Sequence, residues 1–375
     1  MKKVIFIILT LALFLSCKSP ATSPDTSDGG AISGGDNNTP TTDEDAKIYG
    51  IDINTATAET IREELEKYHK DKGEYKVIFT GTYTEVYTKY STLGTIIDEI
   101  KDINNIIVSL ENVTFQNNKL PDNILGSTSF DNNNITKVIL PDYIIVLGNE
   151  AFINCKSLTE VNMPKSLIEI GGSIFFNTKV KNINLPNGLK TINDYAFEIS
   201  AIESIDMPDS VTSIGIETFE ACRQLKSVKL SKNLSVIPKS AFASCSALKT
   251  ITIPESVTSI KEFAFDSCSG IENVVFEGAN PKLTTIGNNA FSCCEKLTTI
   301  TIPVSVKNIE DLAFYKCLLL TSITFLSPNP PSMNGNDIFK DTPLENVYVP
   351  KGAVKAYEAL KGKGLPQNVN ITEIQ

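Results

Sequence analysis

The chain has 375 residues, of which 41% are apolar and 21% are charged, so it has enough apolar material for one elongated domain or two ordinary ones. Its formal net charge is −10, from 44 acidic and 34 basic residues, and it therefore lacks the excess of basic residues that binding to nucleic acid requires. We expect no nucleic-acid partner.

The first residues are typical of an export signal. Two lysines precede a 12-residue apolar run from Val4 to Leu15, which is too short to span a bilayer because a spanning helix needs about 20 residues. Ser16 and Cys17 follow this run and resemble the cleavage site of a bacterial lipoprotein. The resemblance implies a signal peptide at residues 1–16, lipidation of Cys17, and a membrane contact through the lipid alone. Plain secretion, with Cys17 removed or unmodified, is the alternative.

The next segment is predicted to be a tether. Residues 18–45 are rich in Ser, Thr, Pro, Gly and Asp and contain almost no large apolar side chains. Such a segment cannot bury enough surface to offset its ordering entropy. We therefore interpret residues 17–45 as a lipidated cysteine followed by a disordered tether.

Residues 46–134 are predicted to form a small α/β N-terminal cap. The spacing of Ile61, Leu65 and Tyr68 predicts a helix over Thr57–Lys70, with Thr57 and Thr60 as polar caps. A second helix is predicted over Ser91–Asp102, and strands are predicted at Tyr75–Phe79, ending at Gly81, and at Ile106–Phe115.

A repeat of 22 or 23 residues dominates the rest of the chain, with one interval of 26 where Gly278–Lys282 is inserted. Each unit contains a short alternating strand that ends at an apolar anchor residue, usually before a proline, and then an Ala-Phe pair. The anchor residues are Leu140, Met163, Leu185, Met207, Leu230, Ile253, Phe276, Ile302, Phe325 and Val349. The phenylalanines are Phe152, Phe175, Phe197, Phe219, Phe242, Phe265, Phe291, Phe314 and Phe339. One unit alone buries too little surface to fold, so the units must stack as a solenoid.

The full unit, LxxIxIPxSVxxIxxxAFxxC, is nearly complete at residues 224–245, 247–268 and 296–317 and resembles the BspA-like leucine-rich repeat of bacterial surface proteins. The resemblance implies an α/β fold: a leucine-rich-repeat β-solenoid over residues 135–350, preceded by the α/β cap. It also implies a C-terminal cap over residues 351–375, because Val347–Leu360 resembles the strand and short helix that close such arrays.

Six cysteines recur three positions after the repeat phenylalanine: Cys155, Cys222, Cys245, Cys268, Cys294 and Cys317. Thr178 and Ser200 take this position in two units, which favours a small buried side chain over a metal ligand because thiolate and hydroxyl are poorly interchangeable for zinc. We therefore predict a structural ladder and no metal or cofactor. Disulfides stay an alternative, since the chain is expected to be exported. Cys293 lies beside the ladder and is either an incidental or a reactive thiol.

The strand positions that point away from the interior form rows of small polar residues, as expected of a binding face that takes an extended protein or a glycan. Strand stability alone also explains threonine at such positions. The Gly278–Lys282 insertion and the loop Ser327–Gly335 are further candidates. The predicted face comprises Asn182, Asn184, Thr250, Thr252, Thr299, Thr301, Ser322, Thr324 and Tyr348.

These features favour a non-enzymatic binding protein. The single histidine, His69, lies near a helix end, the carboxylates are scattered, and we find no hydrolase or phosphate-loop motif. The family resemblance implies an adhesin-like lipoprotein at the outer membrane or cell surface that binds extracellular-matrix proteins or neighbouring cells; a periplasm-facing or secreted location is the alternative. A structural or self-assembling envelope protein is the alternative function.

Overall fold

A computed structural model describes residues 43–84, 92–127, 133–335 and 337–374 of the chain. The predicted signal peptide, Cys17 and nearly all of the predicted tether lie outside these residues. The helices are α1 (Asp43–Tyr49), α2 (Ala58–Lys72), α3 (Leu93–Asp98) and α4 (Val354–Glu358), with a 3-10 turn at Gln116–Asn118. Helix α1 begins within the last three residues that the sequence assigns to the tether.

Most coils contribute one strand to the front of the solenoid, where the strands form four parallel groups, here together called the front sheet. The coil at Asn182 contributes only an isolated parallel bridge to Ser204. The front strands of the first half are β1 (Gly50–Asp52), β2 (Lys76–Thr82), β3 (Ile106–Thr114), β5 (Ile135–Ile139), β7 (Glu160–Val161), β10 (Ser204–Asp206) and β12 (Ser227–Lys229). Those of the second half are β14 (Thr250–Ile253), β16 (Asn273–Phe276), β18 (Thr299–Ile302), β20 (Ser322–Phe325), β22 (Asn346–Val349) and β23 (Asn370–Glu373).

A second set of short parallel strands forms a rear sheet. Its first part is β4 (Lys119–Leu120), β6 (Val146–Leu147), β8 (Glu169–Ile170), β9 (Thr191–Ile192) and β11 (Ser213–Ile214). Its second part is β13 (Val236–Ile237), β15 (Ser259–Ile260), β17 (Thr285–Ile286), β19 (Asn308–Glu310) and β21 (Ser332–Asn334). The predicted solenoid of stacked coils is therefore confirmed.

The turns that carry the Ala-Phe pairs are joined from coil to coil by a third ladder of backbone hydrogen bonds. In one coil the backbone N–H groups of Ser240, Phe242 and Ser244 donate to carbonyls of the next coil, at 3.0, 2.9 and 2.7 Å. Ser240 and Ser244 both have positive φ, of 51° and 60°. The same two positions around the phenylalanine are left-handed in the other full coils, and this lets the backbone turn twice within five residues.

The interior is a column of phenylalanine rings, as the period predicts. Neighbouring ring centroids from Phe152 to Phe339 are 5.2–5.8 Å apart, and from Phe197 onward the interplanar angle is at most 8°. The strands alternate around this column: Ile251 and Ile253 of β14 are buried, whereas Thr250 is exposed. Because each ring packs on the ring of the next coil, the core is continuous along the array.

The N-terminal segment continues the front sheet, since β3 pairs with both β2 and β5. Helix α2 has Thr57 as its N-cap in a capping box with Thr60, and it buries the three residues that its periodicity predicts. Helix α1 and strand β1, which the sequence analysis did not predict, complete the first coil; Tyr49 packs with Tyr68 on the outer side of Ile78. The predicted second helix, Ser91–Asp102, is shorter and comprises only α3.

The C-terminal end is closed as the resemblance implies. Helix α4 follows β22, and its Tyr357 ring packs 5.0 Å from Phe325 while the Tyr357 hydroxyl donates to the Ser327 carbonyl at 2.8 Å. Part of the predicted loop Ser327–Gly335 is in fact strand β21, which pairs with β19. The final strand β23 pairs with β22 and was not predicted.

Candidate binding surface

Seven of the nine predicted binding residues lie on the outer side of front strands, and Asn182 and Asn184 lie in the coil that contributes only an isolated bridge. Their side chains are exposed or half-buried, and the residues between them point into the core. Strand register aligns them in rows: Thr299 pairs with Ser322, and Thr301 pairs with Thr324, which pairs with Tyr348. The rows continue to Asn370 and Thr372 on β23. The surface is thus a set of ordered rows of short polar groups.

Charge divides the front face into two halves. Four of the ten outward positions from β5 to β12 are charged, and Lys137 pairs with Glu160 at 3.1 Å and Lys229 with Asp206 at 2.8 Å. We call this the charged half. The outward positions from β14 to β23, here called the uncharged half, carry no charged residue: they are Thr250, Thr252, Asn273, Val275, Thr299, Thr301, Ser322, Thr324, Asn346, Tyr348, Asn370 and Thr372.

Exposed apolar side chains cluster beside the uncharged half. Leu318 and Leu319, 50% and 52% exposed, lie where the chain enters β20. The equivalent positions in other coils are polar, for example Arg223 and Gln224, or Glu295 and Lys296. At the other end of the same strands lie Val304 and Leu326, and Val304 is 53% exposed at a position that is Lys165, Asp209 or Glu255 elsewhere. Exposed apolar groups of this kind mark interaction surfaces.

The six ladder cysteines are buried in the corner between the Ala-Phe turn and the front sheet. Their thiols donate to carbonyls of the preceding coil: Cys222 to Phe197 at 3.0 Å, and Cys245 to Phe219 at 3.2 Å. Burial raises the pKa of Cys222 to about 12, so this thiol is neutral. Thr342 continues the ladder, which was not predicted, and its hydroxyl donates to the Phe314 carbonyl at 2.6 Å. No disulfide joins the cysteines that lie within the described ranges.

The other candidates occupy separate places. Cys293 is half-buried in a left-handed position of the turn, with the Ser292 hydroxyl 3.7 Å from its sulfur. His69 stacks on Tyr75 with ring centroids 4.1 Å apart. The Gly278–Lys282 insertion follows β16, which is not hydrogen-bonded to β18, so the front sheet is interrupted there.

An acidic cluster at the turn escaped the sequence analysis, which found the carboxylates scattered. Burial and the neighbouring Glu217 raise the pKa of Glu198 to about 7 and that of Glu220 to about 8, and Glu220 shares a side-chain hydrogen bond with Glu217. The sequence contains a sign of this cluster: Glu198 and Glu220 both directly follow the repeat phenylalanine, so they occupy equivalent positions in neighbouring coils. These carboxyls are packed along the turn and are partly protonated near neutral pH.

The rear sheet carries an open groove of about 460 Å³, lined among others by Val236, Lys239, Ser259, Glu262 and Glu310. Lys239 and Glu262 are 2.8 Å apart and neutralise each other. Within the part of the chain that the structure describes, no cluster of His, Cys, Asp and Glu is arranged to hold a metal ion. In the same residues, no helix has the length and apolar character needed to cross a bilayer.

Parallel coils with a front strand, a rear strand and a buried phenylalanine define a leucine-rich-repeat solenoid. The family model for the BspA type leucine rich repeat region, which contains six copies of the repeat, matches residues 123–249 and 235–359 of this chain. The chain therefore belongs to the BspA type leucine-rich-repeat family.

Comparison with solved structures finds similar proteins. A leucine-rich repeat protein from Bacteroides ovatus is 29% identical, with a TM-score of 0.53, and the match covers 58% of this chain and 55% of that protein. A leucine-rich repeat protein from Eubacterium ventriosum is 20% identical, with 74% of each chain covered and a TM-score of 0.46. The pneumococcal vaccine antigen PcpA is 19% identical, with 80% and 85% covered and a TM-score of 0.42. The chain matches none of the curated proteins.

Proposed function

We propose that this protein is a non-enzymatic binding module, exported and tethered to the outer membrane through a lipid on Cys17, that holds extracellular-matrix proteins or the surfaces of neighbouring cells on its front face. The observation that carries the proposal is the set of outward rows, in which Thr299, Thr301 and their neighbours repeat in strand register. Rows of short hydrogen-bonding groups on an extended sheet suit a long partner that makes many similar contacts.

The family supports a binding role, because leucine-rich-repeat solenoids act as binding scaffolds. The front face also has the mixed character of a protein interface, with exposed Tyr348 and Val275 among hydroxyl and amide groups. The acidic cluster at Glu198, Glu217 and Glu220 is the feature that favours chemistry most, and it adjoins the rear groove, since Lys239 of the groove interacts electrostatically with Glu217 and Glu220. Glu198 and Glu220 are, however, half-buried along the turn.

Protease treatment of intact cells tests the location. A surface-displayed array is cleaved before the envelope is opened, and a Cys17→Ser variant, which cannot be lipidated, is expected to be lost from the cell surface. Survival of the array until the cells are permeabilised would contradict surface display.

Surface plasmon resonance with immobilised fibronectin and laminin tests the binding. A Thr252→Arg/Thr301→Arg variant places two long charged side chains on the front face and is expected to lose at least ten-fold in affinity. The matched control is Ser213→Arg, which adds a charge at an outward position of rear strand β11. Equal losses in the two variants would contradict a front-face site, and no binding of either matrix protein would contradict the matrix partner.

A further inference from the structure

The uncharged half of the front face combines neutral polar rows with exposed apolar side chains. We propose that it binds the uncharged half of a second copy of this chain, front face to front face about a two-fold axis. The inference rests on the proposed function, since it assigns a partner to the same face, and it makes the contact between cells homophilic.

Charge is the first argument. The chain carries a net charge of −10, so two copies repel each other over most of their surface. The twelve outward positions of the uncharged half are where two copies can approach without placing like charges together. The charged half is a poor alternative, because Lys137 and Glu160, like Asp206 and Lys229, already pair within the chain and would lose water on docking.

Self-complementarity is the second argument. The hydroxyls of Thr301, Thr324 and Ser322 can both donate and accept, and the Asn346 amide has both an N–H and a C=O group. A row of such groups can therefore hydrogen-bond to an identical row. From β18 to β23, where the strands pair without a break, a second copy also presents its rows at the same strand spacing of about 4.8 Å, so contacts stay in step along this part of the face.

The exposed apolar residues supply the hydrophobic part of the contact. Leu318 and Leu319 at one end of the strands, and Val304 and Leu326 at the other, frame the polar rows of β18 and β20. The six strands from β14 to β23 have five spacings of about 4.8 Å, and with about 20 Å along each strand they cover roughly 500 Å² per copy. A total of about 1,000 Å² is at the lower limit of specific interfaces, so the pair is weak in solution and gains strength between surfaces that carry many copies.

Sedimentation velocity of the exported chain with Cys17→Ser, which keeps it free of lipid, tests the proposal. Over about 10 µM to about 1 mM the protein is expected to shift from monomer to dimer. Because the twelve outward positions carry no charge and the chain as a whole is acidic, salt screens the repulsion between copies, and the dimer is expected to persist or strengthen between about 50 and 500 mM NaCl. A monomer throughout this range, or association that salt abolishes, would overturn the proposal.

Charge-swap variants identify the face. Thr301→Lys/Thr324→Lys and Thr301→Glu/Thr324→Glu should each dimerise at least ten-fold more weakly, because like charges then meet at the centre of the contact. An equimolar mixture of the two should associate again. Ser204→Lys/Ser227→Lys, at paired outward positions of the charged half, is the matched control and should dimerise like the parent. Circular dichroism verifies that all the variants are folded.

Failure of this proposal is separable from failure of the proposed function. A mixture that does not associate, or a control that loses dimerisation as strongly, overturns the second-copy partner. If fibronectin or laminin still binds the same protein and the Thr252→Arg/Thr301→Arg variant loses that binding, the front face stays a binding site for another protein. If the protein dimerises and neither matrix protein binds, the homophilic contact is the one that operates.

Discussion

The cost of replacing a phenylalanine of the column is predicted to depend on its position in the array. The Phe219 ring is fully buried and stacks on two rings, Phe197 and Phe242, each 5.2 Å away. The Phe152 ring is equally buried but packs on only one repeat ring, Phe175, with centroids 5.5 Å apart and an interplanar angle of 32°. A ring pair contributes about 0.5–1.5 kcal/mol beyond the area it buries. Phe219→Leu should therefore lower the free energy of unfolding by about 1 kcal/mol more than Phe152→Leu, since it removes one more pair.

Urea unfolding followed by far-ultraviolet circular dichroism measures this difference, and tryptophan fluorescence is not an option because the chain has no Trp. A double-mutant cycle of Phe219→Leu and Phe242→Leu gives the pair energy directly, and about 0.5–1.5 kcal/mol of coupling is expected. Equal costs at Phe219 and Phe152, together with zero coupling, would refute the claim that ring stacking contributes to the stability of the column.

Three further predictions concern the turn. In the folded state the pKa values of Glu198 and Glu220 are about 7 and about 8, above the ordinary 4.5. The protonated carboxyls therefore stabilise the fold fully below pH 4.5, and this contribution is lost as the pH rises through 7–8. Glu220→Gln should flatten this decline in melting temperature; an unchanged slope would contradict it. Ala221→Gly relieves a left-handed φ of 55° and should stabilise by about 0.5 kcal/mol in urea unfolding, whereas Ala241→Gly in the core should destabilise. Cys245→Ala should cost about 1–2 kcal/mol by the same assay and Cys245→Ser less, because serine keeps a donor to the Phe219 carbonyl; the reverse order would contradict this bond.

The interior of the solenoid was predictable because it is periodic. Each coil repeats the same buried groups, so the spacing of Phe242, Cys245 and Ile253 is enough to place them inside and Thr250 outside. The helix α2 was predictable for a similar reason, since its buried face follows the helical period and Thr57 is a good N-cap.

What the sequence did not predict depends on tertiary contacts. Strand β1 has three residues and is held by its pairing with β2, and β23 is held in the same way by β22. Residues such as Ile199, with φ of 58°, adopt a left-handed backbone that the residue type disfavours, because the bonds between neighbouring coils fix the turn. The acidic cluster was missed because its members come from two coils and meet only when the coils stack.

The outward positions carry information that the fold does not require. Lys229 shows that a charged residue is compatible with a front strand, since β12 still pairs with β10 in register. Threonine is explained by its preference for strands, but asparagine is depleted from them, and Asn273, Asn346 and Asn370 occupy one outward row of the uncharged half. Strand stability therefore does not account for this row. Amide groups that donate and accept without charge are the chemistry that a neutral contact with another surface requires, and this supports the contact proposed for the uncharged half.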